Sequence, residues 1–355
     1  MRPINLYTCT RCFAIGWAFF ACFSAYASTA SDSKIECVGR YQISLPSDVE
    51  VATTIPNALI KVDTVDKQQF ADGSIASRST IHYQGSLEVT PLQTSAEFTK
   101  LRRDTLSRKE KAKKYFLEQD EFEIADSIKE LKQELPETFI WQSNNTVDAF
   151  LLREKRVFHY FVSGLERPGE HAKVLNKFIS SFRPRLLFTT PKESGVCIPY
   201  GFIADDGKPA RHVAVTMRLK DHPEVEIFFE DQSARDDGIK QTVQTQERTE
   251  LSLLWNGMAQ SAKRIDLLFP DYHSITLDGR IGTASFAEIT QTDGSKDYGY
   301  AAVVNGDHTS KIDAPQLKFY VIRKASRAKG KPISKSEFKG MAHKIAASIE
   351  RRNVN

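Results

Sequence analysis

"CVGRYQISLP", residues 37–46, alternates with a period of two: Tyr41, Ile43 and Leu45 point one way and Gln42 and Ser44 the other. That is the pattern of a strand with one face in a core and the other wet. A loose echo, "CIPYGFIADDG", follows at residues 197–207. A strand opening that recurs halfway along a chain predicts that one architecture is used twice.

Outward from these two points the order of elements repeats. After the first opening, strand-like stretches occupy 58–65 and 79–89, with Asp72-Gly73 as a turn between them. The period then changes. Thr94 with Glu97 makes a capping box, and Phe98, Leu101 and Thr105 recur at helical spacing in a helix that runs on to Lys114. Strands are expected at 139–142 and 149–162, and a closing helix from near Pro168 with Leu175, Phe178, Ile179 and Phe182 on one face. After Cys197 come the strand candidates "HVAVTMRL" and "EVEIFF", then a helix with Leu251, Leu254, Trp255 and Met258 on one stripe. Strands are expected at 283–289, at 298–304 and in "LKFYVI", and the chain closes with a helix capped by Ser334 and Glu337 whose apolar face is Phe338, Met341, Ala342, Ile345 and Ile349. The landmarks are offset by about 160 positions, the size of one ordinary domain. The reading is α+β, with two related domains of mainly antiparallel sheet packed with about two helices each. They span 28–188 and 189–355, and "RPRLLFTTPKES" (Arg183 to Ser194) is the expected linker.

The first segment has a different composition. Arg2 and Arg11 flank a polar start, 13–26 is small and aromatic, and Ala25-Tyr26-Ala27 fits signal peptidase, so 1–27 reads as a cleaved export signal. A lipid-bearing Cys22 is the alternative, poorly served by Phe19 and Phe20 in front of it. The apolar run falls short of the roughly 20 residues that a membrane span needs. Cleavage removes Cys9, Cys12 and Cys22 and leaves Cys37 and Cys197. In an oxidising compartment these two are a candidate disulfide, or else two buried free thiols in equivalent strands.

No residue cluster amounts to an active site. A chain of 355 residues with net charge +4, 41% apolar and 26% charged residues has a globular composition and no electrostatic reason to bind nucleic acid. There is no G-x-S-x-G elbow, no H-E-x-x-H, no phosphate-binding glycine loop and no C-x-x-C. The histidines (His82, His159, His171, His212, His222, His273, His308 and His343) are scattered singly, with none spaced to share a metal. His159 and His212 fall inside strands, where a hydrogen-bonded structural histidine is the expectation. Catalytic, metal-binding and cofactor-binding residues are therefore expected to be absent. Asp205-Asp206 and Asp236-Asp237 each precede a glycine. That is turn chemistry first and, as a weak alternative, an exposed acidic contact for a partner. The basic run Lys100 to Lys114 reads as a solvated helix face, with Asp104 and Glu110 inside it.

With these openings and the strand-helix closure of each half, the chain resembles the two-domain periplasmic immunity proteins for type VI secretion phospholipase effectors. The resemblance carries no catalytic residue with it. It implies a periplasmic, non-enzymatic monomer without stable membrane insertion, forming a one-to-one complex with a cognate lipase of α/β-hydrolase type and covering its active-site entrance with two clamping domains. The competing readings are an envelope ligand-binding or adaptor protein and, after that, a periplasmic hydrolase whose site is assembled from distant residues.

Overall fold

The computed structural model describes residues 33–354 apart from 61–66, 77, 133–134, 165–169, 237, 239–241 and 260–261. The expected signal segment 1–27, with Cys22, lies outside the described residues, as does Pro168. The first half contains β1 (Lys34–Val38), β2 (Tyr41–Leu45), β3 (Val49–Val51), β4 (Thr53–Thr54), β5 (Gln68–Gln69), β6 (Thr80–His82) and β7 (Ser86–Leu92). These lead to α1 (Ser95–Glu118), α2 (Phe122–Ser127), β8 (Lys129–Leu131), β9 (Thr138–Ser143), β10 (Thr146–Arg153), β11 (Arg156–Ser163), α3 (Glu170–Ser181) and β12 (Phe182–Pro184). The second half contains β13 (Gly195–Ile198), β14 (Gly201–Ala204), β15 (His212–Leu219), β16 (Val225–Gln232), α4 (Val243–Ala259), β17 (Arg264–Leu267) and β18 (His273–Leu277). It closes with β19 (Arg280–Thr290), β20 (Lys296–Val304), β21 (Gln316–Arg323), α5 (Lys335–Ala347) and β22 (Glu350–Arg351).

The fold is α+β, and its largest element is one antiparallel sheet of 14 strands that contains strands of both halves. Along it the order is β17-β19-β20-β21-β16-β15-β6-β7-β11-β10-β9-β8, with β18 added to β19 and β3 to β15. The halves meet where β15 pairs with β6, His212 opposite His82 and Ala214 opposite Thr80.

Alternation along the strands sorts their side chains into two layers. Val147, Ala149 and Leu151 of β10 and Tyr300, Ala302 and Val304 of β20 face a single core that also takes Leu175 and Phe178 of α3 and Phe338, Ala342 and Ile345 of α5. On the opposite face Phe150 and Leu152 pack with Phe98 and Leu101 of α1. Ala301 and Val303 pack with Leu251 and Trp255 of α4 on that same opposite face. Each half thus puts one helix above the sheet and one below, and the lower core runs without interruption beneath both. Both expected capping boxes form, Thr94 with Glu97 and Ser334 with Glu337.

Two small sheets cross-link the halves. The opening hairpin β1-β2 pairs with β22, the last strand of the second half, and the hairpin β13-β14 pairs with β12, the last strand of the first. The closing strand of each half is therefore bonded to the opening hairpin of the other. Cys37 and Cys197, in equivalent places of the two hairpins, form a disulfide with Sγ atoms 2.07 Å and Cα atoms 5.8 Å apart. Beside it the backbones of Gly39 and Cys197 exchange hydrogen bonds of 2.8 and 2.7 Å.

Several expectations are corrected. The segment expected as one strand over 149–162 is the hairpin β10-β11, turned by Glu154 and Lys155 at φ of 48° and 57°. Of the strand expected over 58–65, Ala58 ends a 3₁₀ turn (Pro56–Ala58), Leu59 and Ile60 continue as a turn, and 61–65 lie outside the described residues. The stretch Arg183 to Ser194 is not a free tether: Arg185 is buried and ion-pairs with Glu36, and Arg352 donates to the carbonyls of Pro191 (2.6 Å) and Gly195 (2.7 Å). Residues 32–355 form one compact unit.

Candidate functional site

Because α1 and α4 stand on the same face of the sheet, the strands between them form the floor of a valley. Its floor carries the residues that alternate away from the main core: Glu88 of β7, His159 and Phe161 of β11, Thr80 and His82 of β6, His212 of β15 and Glu230 of β16. Under α1 the valley deepens to a cavity of about 700 Å³, walled by Thr105, Arg108, Lys109 and Ala112 of the helix and by Leu59, Ile60 and Lys67 of the preceding loop. A smaller hollow of about 250 Å³ lies beside α4, lined by Arg78, His212, Glu230, Glu250, Leu253 and Lys318 among others.

The floor of the larger cavity is charged and paired. His159 accepts no solvent contact of consequence; its Nδ1 lies 3.1 Å from Glu88 Oε2 and its Nε2 3.1 Å from Asp148 Oδ1. Carboxylates on both ring nitrogens require an N–H at each, so the ring is an imidazolium. Burial opposes that charge, but the hydrogen bonds and charges of Asp148 and Glu88 outweigh it and lift the His159 pKa to about 9. The same partnership overcomes the burial of Glu88 and Asp148 and holds both carboxyls below their usual range. Lys109 Nζ adds a 2.8 Å contact to Asp148, Lys67 Nζ one of 3.5 Å to Glu88, and the Phe150 ring stacks on His159 at 4.3 Å.

Among the described residues, no hydroxyl, base and acid are assembled in sequence beside these groups. His82 bonds to two hydroxyls, Ser86 Oγ at 3.0 Å and Thr80 Oγ1 at 3.1 Å, and burial together with the neighbouring His212 lowers its pKa. A serine nucleophile needs a base steered by an acid, and among the described residues the acids bonded to a buried histidine are those holding His159, which has no hydroxyl on its ring. The described residues also contain no group of three or more His, Cys, Asp or Glu able to hold a metal ion.

The acidic positions singled out in the sequence separate into different roles. Asp205 is buried, not exposed: its side chain is 1% accessible, accepts from Arg40 Nη2 at 2.9 Å and from Tyr83 Oη at 3.0 Å, and so joins the two halves. It is corrected from a surface contact to a structural anchor. Close by, the buried Asp231 accepts from the Arg40 backbone N–H (2.9 Å) and from Arg211 Nε (2.6 Å), and Arg211 reaches on to Asp313. Asp206 is exposed and accepts from the Lys208 N–H in a turn, and Asp236 does the same for the Gly238 N–H. Asp237 lies outside the described residues. The cavity cluster was missed in the sequence because Glu88, Asp148 and His159 stand singly, each in the middle of a different strand. The available signal was a charged residue at each strand's centre, flanked on both sides by core residues.

Residues 189–342 match the family of the Tle cognate immunity protein 4 C-terminal domain. That match lies within the second half of the chain. Its fold agrees with solved structures over nearly the whole chain. Immunity protein TplEi of the type VI secretion system of Pseudomonas aeruginosa, in complex with an "L" peptide, superposes with a TM-score of 0.58 at 15% identity, covering 92% of this chain and 100% of that one. The Tle4-Tli4 complex gives 0.58 at 14% identity, with 92% and 99% covered. Apo TplEi gives 0.55 at 14%, with 91% and 98% covered. No curated protein matches by sequence. Among the described residues of this chain, no helix is long and apolar enough to cross a membrane.

Proposed function

We propose that this immunity protein acts in the periplasm, as a monomer, by binding its cognate phospholipase effector one to one and obstructing the effector's active-site entrance, without chemistry of its own. The observation that carries this reading is the valley: a concavity between α1 and α4 on a sheet that runs through both halves, polar along its floor. The match of residues 189–342 to the Tle cognate immunity protein 4 C-terminal domain supports this role, and one structure of the same fold is that of a complex named Tle4-Tli4.

The two halves act as one preformed frame rather than as tethered jaws, because β15 bonds to β3 and β6 and the closing strands are exchanged. A preformed surface loses little conformational entropy on binding, which favours tight inhibition. A complex of this kind buries more than about 1,600 Å² in total and has a Kd on the order of nanomolar or below. Export of the neutraliser places it where the effector's phospholipid substrate lies. Cells that export the effector are expected to survive when the full-length protein is co-expressed and to lyse when residues 1–27 are deleted; survival with the deleted form refutes periplasmic action.

The cavity under α1 supports a second reading as an envelope ligand-binding protein, since about 700 Å³ falls within the range of small-molecule sites. Retention of an extractable small molecule by the purified protein, with no effect on lipase activity, is the outcome that selects it.

A further inference from the structure

Among the described residues the cavity under α1 carries more positive than negative charge, and that imbalance specifies its occupant. Four described cations line it (His159, Lys109, Lys67 and Arg108) against two described carboxylates, Glu88 and Asp148. His159 sits between both carboxylates, Lys109 on Asp148 and Lys67 on Glu88. Three cations thus face two carboxylates. Arg108 is exposed, one residue before Lys109 on the cavity wall, and has no ion pair among the described residues. The two positive charges in excess at this concave mouth focus the field on whatever enters.

We propose that this cavity receives an acidic side chain, Asp or Glu, projecting from the effector, with Arg108 as its direct partner and Lys67 beside it. The inference rests on the proposed inhibition of an effector and names the chemistry of one contact within it. A protruding side chain fits the geometry better than a membrane does, because lipid phosphates lie in a plane and the cations here line a recess between a helix and a sheet. The paired floor has a role in this arrangement. His159 holds Glu88 and Asp148 neutralised, so that the incoming carboxylate does not meet two bare negative charges. Lys109, fixed on Asp148, keeps the helix wall in register.

The test compares R108E, and the double variant K67Q with R108Q, with K111E, which changes charge on the same helix outside the cavity. Each is titrated into the cognate phospholipase effector, and thermal unfolding confirms that each variant is folded. The expected result is inhibition weakened about 10- to 100-fold by R108E and by the double variant, with a smaller dependence of association rate on salt, and K111E within about 2-fold of wild type. If wild type and cavity variants inhibit equally, or if K111E weakens inhibition as much as R108E, the inference is overturned while the inhibition reading stands. Wild-type protein that fails to inhibit removes the reading itself, and the inference with it. If R108E abolishes sedimentation with phosphatidylglycerol vesicles and leaves inhibition untouched, the occupant is lipid and the inference is wrong.

Discussion

Replacing Cys37 and Cys197 together by serine removes the one covalent link between the halves. The bridge closes a loop spanning a sequence separation of 160. The chain-entropy relation then gives about 17 cal/mol/K of unfolded-state entropy removed, or about 5 kcal/mol at 25 °C, as an upper figure. A body of this size gains on unfolding an entropy of roughly 0.7 kcal/mol/K, so the loss corresponds to a fall in Tm of about 7 °C. The exchanged strands and the shared sheet stay in place without the bridge, so the double variant is expected to melt earlier but still in a single transition. Calorimetry of wild type, of wild type with dithiothreitol and of the variant distinguishes these outcomes. Equal Tm values for oxidised wild type and variant refute the bridge's role, and two separated transitions refute the account of the halves as one cooperative frame.

Other perturbations probe the charged interior. The His159 pKa, raised to about 9 from an ordinary 6.5, contributes about 3 kcal/mol that is fully present below pH 6.5 and is lost as pH rises through 9. The depressed Glu88 and Asp148 pKa values contribute stability that disappears instead as pH falls through the carboxylate range. H159Q should therefore cost about 3–5 kcal/mol near neutrality, by leaving two carboxylates face to face, and should flatten the alkaline limb of a urea-midpoint profile; an unchanged limb contradicts the assignment. G39A places a Cβ 2.2 Å from Asp231 Oδ2 at a φ of +60°, and a loss of about 2–4 kcal/mol in denaturant titration is expected. D205N should lower stability by about 2 kcal/mol through loss of its ion pair with Arg40, which keeps Asp313 and the Pro209 carbonyl, without altering the inhibition constant of the folded protein, whereas D206N should alter neither. A weakened inhibition constant for D205N at unchanged stability would return Asp205 to the interface.

How much of this fold the sequence displays depends on whether its determinants are local. The β2 alternation and the Thr94 and Ser334 caps involve neighbours within five residues, and they were legible. In β15 the alternation of Val213, Val215, Met217 and Leu219 was visible, but Ala214, Thr216 and Arg218 are also buried, because the opposite face is covered too. The β10-β11 hairpin was hidden because Glu154 and Lys155 occupy positive φ where asparagine or glycine is the usual mark. The Asp278-Gly279 turn between β18 and β19 carries that mark, with φ of 51° and 70°, yet β18 is short and partly exposed and β19 is buried on both faces over most of its length, so it shows no period of two. Pairing of β22 with β2 joins Glu350 to Gln42 and Arg351 to Tyr41, and no local pattern encodes a contact over such a separation. The repeated layout was legible for the same reason that the exchange was not. Each half carries its own periodicity, whereas the strands that lock the halves together are two or three residues long.

The most direct measurement of the central claim is a titration of the purified, oxidised protein into its cognate phospholipase at enzyme concentrations well above the expected Kd, with phospholipid hydrolysis as the readout. The account predicts a linear fall in rate to zero at one inhibitor per enzyme, with no turnover of lipid by the inhibitor alone. Hydrolysis that continues past equivalence, or lipid cleavage by the protein itself, would contradict it.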